Sequence, residues 1–223
     1  LLDIIIPVFN EEEVLDSLFD RLINVFSQQN LQNNHISSVR YLFIDDGSKD
    51  SSAEIIQRYI KEGLNATLYR FSRNFGHHFA ITAGLDFSRG NGVVLMDGDL
   101  QDKPEEIVNL YGKFKDGYDL VYGIRNNRQD NPIKKALAHM FWWCINKVSD
   151  IEMPVNQTML RILSRQMADS LKEMKEYSRF IHGMMAWTGF KVTEIEVSHA
   201  ARSKGTSKYT LQNQIRLALY AVT

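Results

Sequence analysis

The chain lacks several features that would place it in common classes of protein. It has one cysteine, Cys144, among 223 residues, so an internal disulfide is excluded and a reducing compartment is expected. No apolar run approaches the roughly 20 residues of a membrane-spanning helix. The opening segment is broken by Asp3 and Pro7 and does not resemble a signal peptide. The formal net charge is −1, so no overall field attracts nucleic acid and any anion must bind locally.

The hydrophobic content is that of a folded domain, at 44% of the residues. No internal repeat, low-complexity tract or linker interrupts the chain, which predicts a single domain over 1–223. The chain begins without Met and stops inside an amphipathic pattern. We therefore expect a soluble piece of a longer protein, with C-terminal membrane spans beyond it.

Apolar strand-like runs alternate with amphipathic helices through the first half of the chain, and a polar loop is predicted at 30–38. This alternation favours an α/β fold with a mostly parallel, Rossmann-like sheet flanked by helices. In the second half we predict a strand at 158–163, helices at 166–174 and 180–186, and a half-exposed strand at 191–197. The predicted strands of the first half are 2–8, 39–44, 67–71, 92–96 and 119–122.

Polar residues follow three of these strands, at the point where each strand ends. Asn10 and Glu11 follow the first, Asp45 and Asp46 the second, and Asp97-Gly98-Asp99 the fourth. Asn10 is also expected to cap the next helix. Since the carboxyl ends of parallel strands meet at one edge of a sheet, these residues are predicted to share a crevice.

The Asp97-Gly98-Asp99 triplet is the most specific chemical pattern in that crevice. Gly98 lets the backbone bend so that both carboxylates turn toward one point. Two carboxylates at one point repel each other unless a cation lies between them. Oxygen ligands on so short a loop suit Mg²⁺ or Mn²⁺, which keep positions open for phosphate oxygens. A plain polar turn is the alternative for the triplet alone.

Short motifs follow one another in a fixed order: Ile-Pro-Val-Phe-Asn-Glu at 6–11, Ile-Asp-Asp-Gly-Ser-Lys-Asp at 44–50, Arg-Asn-Phe-Gly at 73–76, Asp-Gly-Asp-Leu-Gln-Asp at 97–102 and Arg-Ser-Lys-Gly-Thr-Ser-Lys-Tyr at 202–209. Together they resemble family 2 glycosyltransferases of the GT-A fold, of the polyprenyl-phosphate type that includes bactoprenol glucosyltransferases and dolichyl-phosphate mannose synthases. The resemblance implies inverting transfer of a sugar from a nucleotide sugar, with UDP favoured over GDP. The acceptor would be a polyprenyl phosphate at the cytoplasmic membrane face. The nucleotide-binding half would be about 1–123 and the acceptor-side half about 124–223.

The resemblance also implies roles for individual residues. Asp45 would accept from the base imide N–H, and Asp46 would hold the turn or the ribose. Arg73 and the Gly76 backbone would lie against the donor, where a helix N-terminus offers N–H groups to anions. The residues lining the base and ribose pocket would be Pro7, Phe9, Asn10 and Glu11.

The catalytic acids implied by the resemblance follow the fourth strand. Asp99 would bind the metal directly, and Gln101 would be a further oxygen ligand. Asp97 would contact the ribose or the metal. The metal would neutralise the diphosphate as the glycosidic bond breaks, and Asp102 would support the reaction. The adjacent His77 and His78 point different ways on a helix and are assigned surface or supporting roles.

Basic residues in the second half would receive the lipid phosphate, because arginine forks match phosphate oxygens. Helices at 133–148 and 210–222 would lie in the membrane interface, although Trp142 and Trp143 are equally compatible with a core or a dimer contact. Oligomerisation is left open, and Lys204 is assigned to solvent. The acceptor-phosphate residues are Arg125, Arg128, Arg202, Ser207 and Lys208.

One residue departs from the pattern. Bactoprenol glucosyltransferases often carry Asp-Phe-Arg-Leu where this chain has Met159-Leu160-Arg161-Ile162. A methionine cannot act as a base, which fits an already anionic phosphate acceptor better than a sugar hydroxyl. The alternatives are a polysaccharide-extending glycosyltransferase and a catalytically weak nucleotide-binding module. A nucleotidyltransferase would need a Gly-rich basic loop after the first strand, where this chain is acidic and bulky.

Overall fold

Seven strands form one sheet in the computed structural model, which describes residues 1–125, 157–176 and 180–198. Their spatial order is β3-β2-β1-β4-β6-β5-β7. The predicted strands are thereby confirmed with ends shifted by a few residues. The strands are β1 Leu2–Val8, β2 Val39–Asp45, β3 Ala66–Arg70, β4 Gly92–Leu95, β5 Leu120–Ile124, β6 Gln157–Ser164 and β7 Val192–Glu196.

The sheet is mostly parallel, as predicted. Strands β3, β2, β1 and β4 pair in parallel, and so do β5 and β7. Strand β6 pairs antiparallel with both β4 and β5, so it is the one strand of the described sheet that runs the other way. The carboxyl ends of β2, β1 and β4 therefore lie side by side at one edge.

Seven helices accompany the strands in the described ranges. The short helix α2 occupies only the first part of the polar loop predicted at 30–38, and its residues include no buried side chain, which is why apolar periodicity gave no indication of it. The helices are α1 Glu12–Val25, α2 Gln28–Asn33, α3 Ser52–Lys61, α4 His77–Phe87, α5 Glu106–Phe114, α6 Arg165–Glu173 and α7 Ile181–Trp187.

The core lies on both faces of the sheet, because alternate side chains of each strand point to opposite sides. Ile4 and Ile6 of β1 pack with apolar residues of α1 and α5 on one face. Ile5, between them, packs with residues of α4, α6 and α7 on the other. The apolar run of β1 is thus buried on both sides, as expected for a central parallel strand.

No described helix is long and apolar enough to cross a bilayer.

Several predictions fall on residues outside the described ranges. The undescribed predictions concern the helices at 133–148 and 210–222, Trp142, Trp143, Cys144, Arg128, Arg202, Lys204, Ser207 and Lys208.

Candidate active site

The loops after β1, β2 and β4 meet at one edge of the sheet. Val8 at the end of β1 pairs with Asp45 at the end of β2, and the Asp46 N–H donates to the Val8 carbonyl at 2.8 Å. A methyl group built on Gly98 would lie 3.3 Å from the Pro7 carbonyl oxygen, so the loop after β4 lies against β1. The strand ends from which the crevice is predicted therefore lie together at one edge of the sheet.

Asp45, at the end of β2, is fully buried. Its Oδ1 accepts the Ser48 N–H at 2.8 Å. Its Oδ2 lies 3.0 Å from Nε of Arg70 as an ion pair, but no described group donates a hydrogen bond to it. Buried carboxylate oxygens are normally hydrogen-bonded, so Asp45 keeps an acceptor for an N–H group of a ligand.

Asp46 holds the turn that leads into α4. Its carboxylate accepts from Asn74 Nδ2 at 2.8 Å, from the Phe75 N–H at 2.7 Å and from the Gly76 N–H at 2.9 Å. Burial raises the pKa of Asp46, and the two backbone hydrogen bonds oppose that rise. Since the Gly76 N–H is engaged here, it is not free for a donor phosphate. Its place beside the donor stays a prediction.

Asn10 joins the β1 loop to the β2 loop. Its N–H donates to Ser48 Oγ at 2.9 Å, and its Oδ1 accepts the Lys49 N–H at 2.8 Å. The expected helix cap by Asn10 is therefore wrong: Glu11 precedes α1, and Asp50 accepts the Glu12 N–H at 3.1 Å. Asn10 has a positive φ of 53°, which turns its side chain back across the crevice instead of along the helix.

The remaining nucleotide-pocket residues of the sequence analysis lie at the surface of this region. Pro7, Phe9 and Glu11 are half-buried. Arg73 is exposed, and its guanidinium carbon lies 4.0 Å from the centre of the Phe75 ring. Their predicted roles beside the nucleotide stay predictions.

Negative charge accumulates after β4. Burial raises the pKa of Asp97 to about 6; the carboxylates of Asp99 and Asp102 add to the rise, and His77 opposes it. Nε2 of His77 lies 3.6 Å from Oδ1 of Asp97. Because the same histidine follows Gly76, the start of α4 connects the Asp46 turn to the Asp97 loop.

The loop beyond Asp97 folds back on itself. Leu100 has a φ of 61°, and the Gln101 N–H donates to Asp99 Oδ1 at 3.1 Å. Asp102 is almost fully buried, and its Oδ2 accepts the Leu160 N–H of β6 at 3.2 Å. Asp102 thus anchors the loop to the sheet, while its predicted catalytic role stays a prediction.

The acids fit a divalent cation that is only partly held by protein. The described residues contain no group of three or more His, Cys, Asp and Glu side chains able to hold a metal ion by themselves. Asp97 and Asp99 repel each other, which an intervening cation would relieve. Two carboxylates leave positions open for diphosphate oxygens and water, as Mg²⁺ and Mn²⁺ prefer at phosphate sites.

Strand β6 places a buried arginine, Arg161, beneath these acids. No role was predicted for this residue from the sequence. Arg161 is 1% exposed, and its guanidinium donates to the Met159 and Thr158 carbonyls at 3.2 and 2.6 Å. Burial lowers its pKa to about 10, with Asp97 and Asp102 opposing, so it remains a cation at neutral pH. The sequence feature that could have predicted a role for it is its charge within the otherwise apolar run Met-Leu-Arg-Ile-Leu.

Of the predicted acceptor-phosphate residues, the described ranges include Arg125 alone. One of its terminal nitrogens lies 4.0 Å from Oδ1 of Asp102. Arg125 follows β5, whose neighbour β6 carries Arg161. A basic residue thus stands beside the acidic loop on the acceptor side predicted from sequence.

Comparison with known proteins defines the class to which this fold and site belong. Residues 3–185 match Glycosyl transferase family 2, and the chain belongs to that family. It is 18% identical to glucosyl-3-phosphoglycerate synthase from Mycobacterium tuberculosis, solved with Mn²⁺, UDP and phosphoglyceric acid. The TM-score is 0.68, over 98% of this chain and 74% of the other. This likeness confirms the GT-A fold.

Several curated relatives share a higher sequence identity with this chain. The chain is 37% identical to the uncharacterized glycosyltransferase YkcC of Bacillus subtilis, over 99% of this chain and 67% of the relative. It is 35% identical to undecaprenyl-phosphate 4-deoxy-4-formamido-L-arabinose transferase of Aeromonas hydrophila, over 100% and 67%. It is 33% identical to bactoprenol glucosyl transferase of Shigella phage SfV, over 100% and 71%. The chain thus spans about two thirds of these relatives.

Proposed function

We propose that this chain is the catalytic domain of an inverting glycosyltransferase that moves a sugar from a UDP-sugar to a polyprenyl phosphate at the cytoplasmic face of a membrane. The observation that carries the proposal is the arrangement of acids at one edge of the sheet: the buried Asp45 at the end of β2 and the mutually repelling Asp97 and Asp99 after β4 lie on either side of β1. The named relatives that act on undecaprenyl phosphate and bactoprenol support the acceptor class.

The nucleotide sugar would bind to groups whose positions the fold fixes. Oδ2 of Asp45 would accept the imide N–H of uracil, with Pro7, Phe9, Asn10 and Glu11 around the base and ribose. Nε of Arg70 lies 3.0 Å from the same oxygen, so a ligand N–H would share Oδ2 with this ion pair. Asp46 would fix the approach of the α4 turn to the donor.

The leaving group would be stabilised at the loop after β4. Asp99 and Asp97, with Gln101, would hold the divalent cation. When bound, that cation supplies positive charge to the departing diphosphate. Asp102 anchors the loop to β6 by accepting the Leu160 N–H. Arg161, which is held by β6 carbonyls, places a positive charge beneath the acids.

A phosphate acceptor is proposed because residue 159 provides no general base. Met159 is 8% exposed and packs in an apolar cluster, so neither its chemistry nor its surroundings provide proton transfer. A phosphate monoester has its second pKa near ~6 and is largely a dianion at neutral pH. It needs no base, whereas a sugar hydroxyl does. Arg125 would receive this phosphate together with Arg128, Arg202, Ser207 and Lys208.

The test is turnover of labelled UDP-sugars and GDP-mannose with undecaprenyl phosphate in vesicles, using the full-length protein and Mn²⁺. Asp99→Asn is expected to lower turnover by at least roughly 100-fold, the scale of a lost transition-state contact. Its melting temperature should match that of the unchanged protein, because the Asp99 side chain is only half-buried. Asp86→Asn, an exposed acid later on α4, is the matched control. Turnover of Asp99→Asn within a few-fold of the control would contradict the proposal.

A further inference from the structure

A cluster of rings lies beside Asp97, and its members other than His77 have no part in the roles assigned above. His77 and His78 begin α4, and Phe180 and His182 come from the start of α7. The ring centres are 5.8 Å apart for His77 and His78, 6.2 Å for His78 and His182, and 5.8 Å for Phe180 and His182. The cluster reaches the acids through the 3.6 Å contact of His77 with Asp97.

The two inner imidazoles are neutral. Burial lowers the pKa of His78 to about 4, and nearby His77 and Arg161 add to the effect. Burial also lowers the pKa of His182 well below its ordinary value, with Arg161 and His78 contributing. A neutral imidazole carries one N–H donor and one acceptor nitrogen. Each ring therefore offers what a hydroxyl group needs and lacks the charge that would select a phosphate.

One polar atom of the cluster is buried without a partner. No described group hydrogen-bonds to Nδ1 of His78. Leaving such an atom unsatisfied is costly, and in native structures it calls for an explanation such as a ligand. The residues His78 and His182 are each half-buried overall, although Nδ1 of His78 itself is buried.

We propose that His78, His182 and the ring of Phe180 form the subsite that recognises the transferred sugar. The inference rests on the proposed function, in which the diphosphate lies at Asp97 and Asp99 and the sugar extends from it. The imidazoles exchange hydrogen bonds with sugar hydroxyls, and the Phe180 ring packs against the C–H face of the pyranose. A metal at this cluster is not supported, because the described residues include no three-ligand group.

The subsite is tested by comparing the affinity of UDP with that of UDP-sugars. Calorimetry with Mn²⁺ would measure UDP, UDP-glucose, UDP-galactose and UDP-N-acetylglucosamine binding to the unchanged protein and to two variants. His78→Phe and His182→Phe keep a ring and remove its hydrogen bonds. Each is expected to reduce the preference for the best UDP-sugar over UDP by about three- to tenfold, the scale of one or two hydrogen bonds. The affinity for UDP itself should not change.

Two further variants separate recognition from structure. His182→Gln restores a donor and an acceptor and is expected to retain more of the preference than His182→Phe. His35→Asn removes an imidazole between α2 and the amino end of β2, at the opposite edge of the sheet, and should change neither affinity. His35 has a φ of 57°, a conformation that asparagine tolerates.

The outcomes discriminate the inference from the function on which it rests. The inference is overturned if the preference is unchanged in both phenylalanine variants, or if UDP and UDP-sugar weaken equally. It is also overturned if the unchanged protein binds none of the three UDP-sugars more tightly than UDP. If the unchanged protein binds no nucleotide at all, the proposed function itself fails.

Discussion

A methyl group at Gly47 should disrupt the nucleotide side of the crevice from a distance. Gly47 has a φ of 72°, and a Cβ built there would lie 2.5 Å from the carbonyl carbon of Arg73. Backbone cannot move aside as a flexible side chain can, so the 73–76 segment must shift. That segment is held by the hydrogen bonds of Asn74, Phe75 and Gly76 to Asp46.

The magnitude follows from these contacts. An alanine at positive φ costs about 1–2 kcal/mol. Losing one or two of the Asp46 hydrogen bonds costs about 0.5–1.5 kcal/mol each. Gly47→Ala should therefore lower the free energy of unfolding by about 1.5–5 kcal/mol. Gly63→Ala is the matched control, because Gly63 also has a positive φ, of 102°, but its Cβ would meet nothing within 4 Å.

Urea unfolding and calorimetry with UDP and Mn²⁺ measure the two consequences. Gly47→Ala should weaken UDP binding at least about tenfold, since the displaced segment includes Arg73 and is hydrogen-bonded to Asp46. Gly63→Ala should lose about 1–2 kcal/mol of stability and bind UDP normally. Equal destabilisation of the two variants, with equal UDP affinity, would refute the role given to the close approach of residues 47 and 73.

Two further substitutions separate stability from catalysis. Asp3 is fully buried, and although burial acts to raise its pKa, hydrogen bonds from Arg40 at 2.9 and 2.7 Å and from two backbone amides keep the pKa below its ordinary value. Its contribution to stability is thus present above about pH 4 and lost as the pH falls through the folded-state pKa. Asp3→Asn should lower the unfolding free energy by about 2–4 kcal/mol at pH 7, leave UDP affinity unchanged and flatten the acid limb of the stability profile; a full acid limb in the variant would contradict this assignment. Met159→Leu should keep turnover within a few-fold and cost less than about 1.5 kcal/mol in urea unfolding, whereas a tenfold loss of turnover would mean that the thioether takes part.

The crevice could be predicted from sequence because its main parts are local. An apolar run that ends in Asp-Gly-Asp shows both the strand and the acids at its end. Parallel order follows from β-α alternation. The strand ends β1, β2 and β4 were therefore assigned to one edge without any long-range information, and the register of Val8 with Asp45 agrees with that assignment.

The contacts that tune those acids depend on register and on distant segments. Arg70 meets Asp45 because the two residues pair across β2 and β3, which no pattern within either strand specifies. Arg161 lies beneath Asp97 because β6 enters the sheet between β4 and β5. His182 joins His78 from more than 100 residues along the chain. Sequence periodicity identifies a buried face, but it does not identify which distant residue will share it.

The balance of charge in the crevice explains why metal and nucleotide should depend on each other. Asp97, Asp99 and Asp102 interact closely, and Arg161 is the cation buried beneath them. Arg125 lies 4.0 Å from Asp102, and Arg70 is already paired with Asp45. A nucleoside diphosphate would bring further negative charge into a site that the described residues leave acidic, so it binds well only with a cation. By linkage, UDP must raise the affinity for Mn²⁺ by the same factor by which Mn²⁺ raises the affinity for UDP.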